Sequence, residues 1–145
     1  MSIPKLTFRK HERLRLNKDI KRVFNKGRVF KHPALIMFSV DRPVRTPAGI
    51  KITDSASRFG IVVTKKLGNA SKRNRIKRLL REIIRLNKMY LSPCLDIVFL
   101  PRIGAVPLDF HSLNRVVLDM WKRAGVLKHN VTAGAGPVTA KHFEQ

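Results

Sequence analysis

Apolar side chains recur at helical spacing in three parts of the chain. The first stripe consists of Ile20, Val23 and Phe24 and predicts a short helix over about residues 18–26. Asn17 is expected to cap its start, and Gly27 to end it in a left-handed conformation. The other two stripes predict longer helices, over about residues 70–88 and from an Asp109 cap to Gly125.

Continuous apolar runs of strand length lie between these helices, at residues 33–40, 58–64 and 95–100. The predicted order of elements is therefore α-β-β-α-β-α. Because the second and third runs flank a long helix, they are expected to form a strand-helix-strand unit with parallel strands. We predict a single α+β domain in which helices pack on a central mixed sheet.

The remaining segments set the domain boundaries. Residues 1–16 are basic and lack a clean period, which favours an extended N-terminal arm. Residues 41–57 indicate a long loop, and residues 128–145 indicate a flexible tail. The predicted domain, with its arm, therefore spans residues 1–127.

Cysteine usage and hydropathy narrow the class of protein. Cys94 is the single cysteine of the 145 residues, which excludes an intrachain disulfide and a cysteine-based zinc site. We expect it to be a small, buried apolar residue. The lack of disulfides fits a reducing cytoplasm, and no apolar stretch approaches the ~18 residues that span a bilayer. A cytoplasmic protein is expected.

Charge changes this picture most. The chain carries 31 Lys and Arg residues against 9 Asp and Glu, a formal net charge of +22. Residues 5–31 hold 11 cations against 2 acids, and residues 65–88 hold 10 cations against Glu82, which gives +9 in each segment. With 43% hydrophobic residues the chain is nevertheless expected to fold. Such a charge indicates a polyanionic partner, either a nucleic acid or an anionic membrane surface.

The long helix over residues 70–88 separates its side chains by character. Its apolar side is formed by Ile76, Leu79, Leu80, Ile83 and Leu86. Its opposite side is formed by Arg73, Asn74, Lys77, Arg78, Arg81, Arg85 and Lys88. Cations also crowd the first turn, where they oppose the helix dipole, and this placement is explained if a phosphate binds there. Because the apolar side is needed for the core, nucleic acid is favoured over a membrane.

Side chains suited to catalysis are few. The five histidines are scattered, and the sequence has no paired carboxylates, no metal-ligand spacing and no phosphate-cradling G-x-x-x-x-G-K motif. Phe24, Phe38 and Phe59 are candidates for stacking on single-stranded bases, and each fits a core position equally well. The sequence therefore predicts phosphate binding without side-chain chemistry.

The segment from Arg58 to Arg81 resembles a known family. A strand ends in Lys65-Lys66-x-Gly68-Asn69-Ala70 and leads into a helix with Arg73-Asn74-Arg75-x-Lys77-Arg78. This pattern is similar to the signature of the bacterial ribonuclease P protein component. The first predicted helix is also similar to that of the family, except that Ile20 stands where the family commonly has an aromatic residue.

The resemblance implies a fold like the second domain of ribosomal protein S5, with a left-handed β-α-β crossover. It implies the small, non-catalytic subunit of an endoribonuclease that removes the 5′ leader of precursor tRNA. The active site and its magnesium ions are then expected mainly in the RNA subunit. The implied partners are this RNA subunit and precursor tRNA, with no membrane and no obligate protein partner.

By position, the resemblance also implies two binding surfaces. The RNA subunit is expected to contact Lys66, Asn69, Lys72, Arg73, Arg75, Lys77 and Arg78. The 5′ leader is expected to contact Phe24, Phe38, Lys65, Arg73, Asn74 and Arg81. Asn74 also matches a position associated with a metal ion near the leader, and no catalytic residue is expected in the protein.

Two other functions fit a basic, folded domain of this kind. One is a structural RNA-binding protein of ribosomal type without a catalytic RNA partner. The other is a nuclease that acts alone. Cleavage of precursor tRNA by the RNA subunit at low magnesium, with and without the protein, tests the first alternative. Incubation of precursor tRNA with the protein alone tests the second.

Overall fold

The elements follow the predicted order with one strand added near the start. The computed structural model describes residues 8–42, 48 and 56–128. Its helices and strands in this part of the chain are α1 (Asn17–Lys26), β1 (Arg28–His32), β2 (Leu35–Asp41), β3 (Arg58–Ile61), α2 (Ala70–Asn87), β4 (Leu95–Pro101) and α3 (Phe110–Ala124). Most of the predicted loop at 41–57 lies outside the described residues, as does the predicted tail after residue 128.

The four strands form one mixed sheet in the order β1-β2-β4-β3. β1 pairs antiparallel with β2, and β2 pairs antiparallel with β4. β3 pairs with β4 in parallel, and α2 connects these two strands. The predicted strand-helix-strand unit and the predicted α+β class are therefore confirmed.

The first strand was missed because its sequence is short, basic and only partly apolar. β1 and β2 form a hairpin in which Val29 lies opposite Phe38 and Lys31 opposite Ile36. The turn begins at Pro33, where the apolar pattern predicts the start of a strand. The Ala34 N–H donates to Nδ1 of His32 at 3.0 Å, which closes the turn.

The sheet has helices on both faces. On one face, α2 and α3 cover the main core, which includes Met37, Phe59, Ile97, Phe99 and Trp121. On the other face, α1 covers a smaller cluster around Val98, with Val23 and Leu14. Because side chains alternate across a strand, neighbouring residues of β4 supply the two cores. α1 therefore packs on the face of the sheet opposite to the one that α2 covers.

The N-terminal segment does not form the predicted extended arm over residues 8–16. It makes a 3₁₀ turn at Lys10–Glu12, and the Leu14 N–H then donates to the Phe59 carbonyl at 2.8 Å. Phe8 contacts the Phe59 ring edge-on, with centroids 5.9 Å apart. The segment therefore lies along the free edge of β3 and fixes the start of α1. Residues 1–7 lie outside the described residues.

Three local predictions were wrong, and two were confirmed. Asn17 is the first residue of α1 rather than its cap, and Gly27 is extended, with φ −76°. A Cβ on Gly27 would meet the Val23 carbonyl oxygen at 2.5 Å, so close approach explains this glycine. Cys94 is half-exposed in a turn, with φ 61°, rather than buried. Asp109 caps α3 and Gly125 ends it in the left-handed region, as predicted.

Candidate nucleic-acid interface

The solvent side of α2 carries the cations that the helical pattern predicted. Ile76, Leu80 and Ile83 are fully buried on the core side. The opposite side forms a shallow groove lined by Ser71, Asn74, Lys77, Arg78 and Arg81, which we call the basic face of α2. In the described part of the chain, none of its three cations has an ion pair or a hydrogen bond to an acid. Their charges are therefore available to phosphates.

The basic face ends at Arg81, which is shorter than the sequence indicated. Arg85 pairs with Glu82, and this contact lowers the pKa of the Glu82 carboxyl and raises that of the Arg85 guanidinium. The Lys88 ammonium binds both carboxylate oxygens of Glu12, at 2.6 and 2.7 Å. Both cations therefore have acidic partners within the fold and do not belong to the basic face of α2.

The start of α2 presents further cations above a tight turn. A 3₁₀ turn at Lys65–Leu67 leaves Lys65 and Lys66 exposed, and Lys72 is exposed in the first turn of α2. Gly68 between them has φ 121°, a conformation that L-residues rarely adopt. Three lysines are therefore exposed to solvent around the start of α2. Free backbone N–H groups at this helix end also attract anions.

Asn69, predicted to bind the RNA subunit, has a structural role here. Its side-chain oxygen accepts the Lys72 N–H at 3.0 Å and caps α2. We expect Asn69→Ala to lower the free energy of unfolding by about 1 kcal/mol, since α2 loses this cap. Thermal unfolding measures the effect. Asn69→Ser restores an acceptor and should recover most of the stability; equal losses in both variants would contradict the capping role.

The two arginines that flank Asn74 differ in their contacts. Arg75 donates from its two terminal nitrogens to the carbonyls of Val106 and Leu108, at 3.3 and 2.9 Å. It therefore ties the start of α2 to the loop before α3, although it was predicted to contact RNA. Arg73 is half-buried, and its Nε has no hydrogen-bond partner among the described residues. Its guanidinium is therefore oriented by packing while retaining hydrogen-bonding capacity.

On the opposite face of the sheet, α1 leaves a cleft with aromatic walls. The rings of Phe24 and Phe38 meet edge-on, with centroids 4.7 Å apart. Both are half-buried, as are Val40 and Val62 beside them. The structure thus brings together the two phenylalanines that were predicted to bind the leader. Phe59 is 2% exposed and packs near Trp121 in the main core, so of its two predicted roles the core position applies.

A buried carboxylate that the sequence pattern does not indicate holds the floor of this cleft. Asp96 on β4 has no exposed surface. It accepts hydrogen bonds from Arg58 of β3, at 2.7 and 2.9 Å, and from Arg22 of α1. Asp19 adds a second acid 3.8 Å from Arg58. This network joins α1 to the sheet through charges that lie 38 and 74 residues apart in sequence.

The described residues contain no group of three His, Cys, Asp or Glu side chains that could hold a metal ion. Asn74 is exposed on the basic face of α2, and its proposed contact with a metal stays a prediction. In the same part of the chain, no helix is long and apolar enough to cross a membrane.

Comparison with known proteins agrees with this arrangement. The sequence model of the ribonuclease P family matches residues 8–125. The ribonuclease P protein component of Dictyoglomus thermophilum is 33% identical over 124 residues, which are 84% of this chain and 95% of that protein. The corresponding protein of Natranaerobius thermophilus is 32% identical over 118 residues, 81% of this chain and 94% of that protein.

Solved structures agree as well. The RNase P protein of Staphylococcus aureus superposes with a TM-score of 0.68 at 27% identity, covering 81% of this chain and 98% of that one. The RNase P protein of Thermotoga maritima gives a TM-score of 0.64 at 32% identity, covering 77% and 96%. Sequence identity, coverage and fold therefore agree on one family. The chain belongs to the ribonuclease P protein family, the protein subunits of that endoribonuclease.

Proposed function

We propose that this subunit uses its two surfaces for two RNA partners. The basic face of α2 binds the RNA subunit of ribonuclease P, and the cleft beside α1 binds the single-stranded 5′ leader of precursor tRNA. The observation that carries the proposal is the separation of an unpaired cationic helix face from an apolar cleft with aromatic walls. Duplex-rich RNA is bound mainly through phosphates, whereas single strands also stack their bases.

The chemistry of each surface fits its partner. Lys77 and Arg78 offer charge along an open groove without an aromatic ring, which suits a phosphate backbone. Arg81, which the resemblance assigns to the leader, lines this same groove on α2, and we group it with the RNA-subunit surface. Phe24 and Phe38 offer ring surface in a half-buried setting, and Lys65 contributes a cation that follows β3. The protein then assists cleavage by holding two polyanions together. It needs no nucleophile of its own, which accounts for the scarcity of catalytic side chains.

Magnesium ions are assigned mainly to the RNA subunit in this proposal. Mg²⁺ prefers several oxygen ligands, and phosphates and water supply them readily. Asn74 offers one amide oxygen beside Lys77 and Arg78, a set that does not suffice for a protein-only site. Asn74 therefore contributes at most one ligand to an ion that the RNA holds. Such ions would supply activation of the attacking water and stabilisation of the leaving oxygen.

Reconstitution tests the proposal. Precursor tRNA is incubated with the RNA subunit at low magnesium, with and without the protein, and mature 5′ ends are counted. We expect the protein to increase cleavage strongly, because it neutralises phosphates that magnesium would otherwise screen. Precursor tRNA with protein alone should stay intact. Lack of stimulation would favour a structural RNA-binding protein of ribosomal type, and cleavage by the protein alone would show an independent nuclease.

A further inference from the structure

The α1 face of the sheet continues beyond the two phenylalanines to an open edge. Residues paired across an antiparallel ladder share a face, so Val29 lies on the same face as Phe38, and Lys31 on the same face as Ile36. Ile36 in turn pairs with Leu100 of β4, and Val62 follows β3 next to that strand. A row of side chains therefore crosses all four strands on this face.

The row has an apolar floor and a cation at each end. Ile36, Leu100 and Val62 are half-buried, so the helix above them does not seal the floor. Lys31 ends the row at β1, and Lys65 lies three residues after Val62 at the other end. Three spacings between adjacent strands separate β1 from β3, about 14 Å, and Lys65 lies beyond the end of β3. A single-stranded nucleic acid crossing the sheet here would meet cations at both ends and apolar surface between them.

The other side chains of β1 are already engaged, whereas Val29 and Lys31 are not. Arg28 donates to the Ala124 carbonyl at 2.9 Å, and Phe30 packs against the main core. By contrast, Val29 is 45% exposed, and Lys31 is exposed without an ion pair or a side-chain hydrogen bond among the described residues. An exposed valine beside an aromatic pair, followed by a free lysine, gives β1 the character of a nucleic-acid-binding edge.

We infer that Val29 and Lys31 form the distal wall of the leader cleft. This inference rests on the proposed function, because it takes the cleft to hold the leader. The end of the leader near the cleavage site lies by Lys65 and α2, where the RNA subunit binds. Nucleotides farther from the cleavage site then cross the sheet and reach β1. Val29 offers apolar surface to a base, and Lys31 binds a phosphate.

Leader length tests this assignment in the reconstituted holoenzyme. Affinity is measured for precursor tRNAs with leaders of about two and about ten nucleotides. The first is shorter, and the second longer, than the smallest single-strand binding sites of about four nucleotides. With the long leader, we expect Lys31→Ala to weaken binding about threefold and to reduce the salt slope by about 0.7, the value for one phosphate of a single strand. With the short leader, Lys31→Ala should have no effect.

Three reference variants make the outcome decisive. Lys122→Ala removes a lysine that is also exposed, from α3, which covers the opposite face of the sheet, and should leave both affinities unchanged. Lys65→Ala should weaken the long-leader substrate. If Lys65→Ala and Phe38→Ala weaken binding while Lys31→Ala does not, the distal wall is wrong and the cleft stands. Equal losses of affinity for the long-leader and short-leader substrates in Lys31→Ala would also contradict the distal wall. If none of the three variants affects binding, the leader-binding function of the cleft itself fails.

Discussion

Asp96→Ala is expected to lower the free energy of unfolding by about 3 kcal/mol or more, since breaking a buried ion pair from one side typically costs about 3–5 kcal/mol. The carboxylate is fully buried, and it receives hydrogen bonds from both Arg58 and Arg22. Without it, two guanidiniums that are only 24% and 28% exposed would face each other across the cleft floor. Chemical denaturation at neutral pH measures the loss.

The same variant is expected to impair leader binding more than assembly with the RNA subunit. α1 is joined to the sheet through this network and through a small apolar cluster around Val98. Loosening α1 separates Phe24 from Phe38, whereas α2 packs on the other face. Asp119→Ala, which removes an exposed carboxylate from α3, is the matched control and should cost little. A cost for Asp96→Ala no greater than that of the control would show that the network does not hold α1.

The predictable parts of the molecule are those that local pattern determines. The apolar stripe of α2 specified which side is buried, and Asp109 and Gly125 specified where α3 begins and ends. The cationic side of α2 followed from the same period. Local pattern also identified Phe24, while only the resemblance paired it with Phe38 on β2, because their contact depends on the tertiary arrangement.

The unpredictable parts depend on contacts between distant residues. Asp96 lies inside an apolar run, and nothing in its neighbourhood indicates that arginines 38 and 74 residues away would surround it. In the same way, the helical period places Lys88 on the cationic side of α2, but Lys88 pairs with Glu12 instead. Asn69 shows a local ambiguity: one amide suits a cap and an RNA contact equally. The bond to Lys72 establishes the cap, and the RNA contact stays a prediction.

Replacing Lys77, Arg78 and Arg81 together with alanine is expected to weaken binding of the RNA subunit about a hundredfold at about 0.15 M salt, if each cation contacts one phosphate. These three side chains line one groove and have no acidic partner in the described part of the chain. Each lost contact should reduce the slope of log K against log salt by about 0.7–0.9, so the triple variant loses about two to three. Filter binding across a salt series measures both quantities.

The loss of phosphate contacts must be distinguished from a loss of stability and from the change in net charge. Alanine favours helices, and the substituted side chains lie on the solvent side of α2, so the fold should be retained. Arg115, Lys122 and Arg123 on the exposed side of α3 provide a control triple with the same change in net charge. If RNA binding responded to overall charge alone, the two triples would lose affinity equally. A loss confined to the α2 triple, with its reduced salt slope, identifies this helix face as the phosphate-binding surface for the RNA subunit.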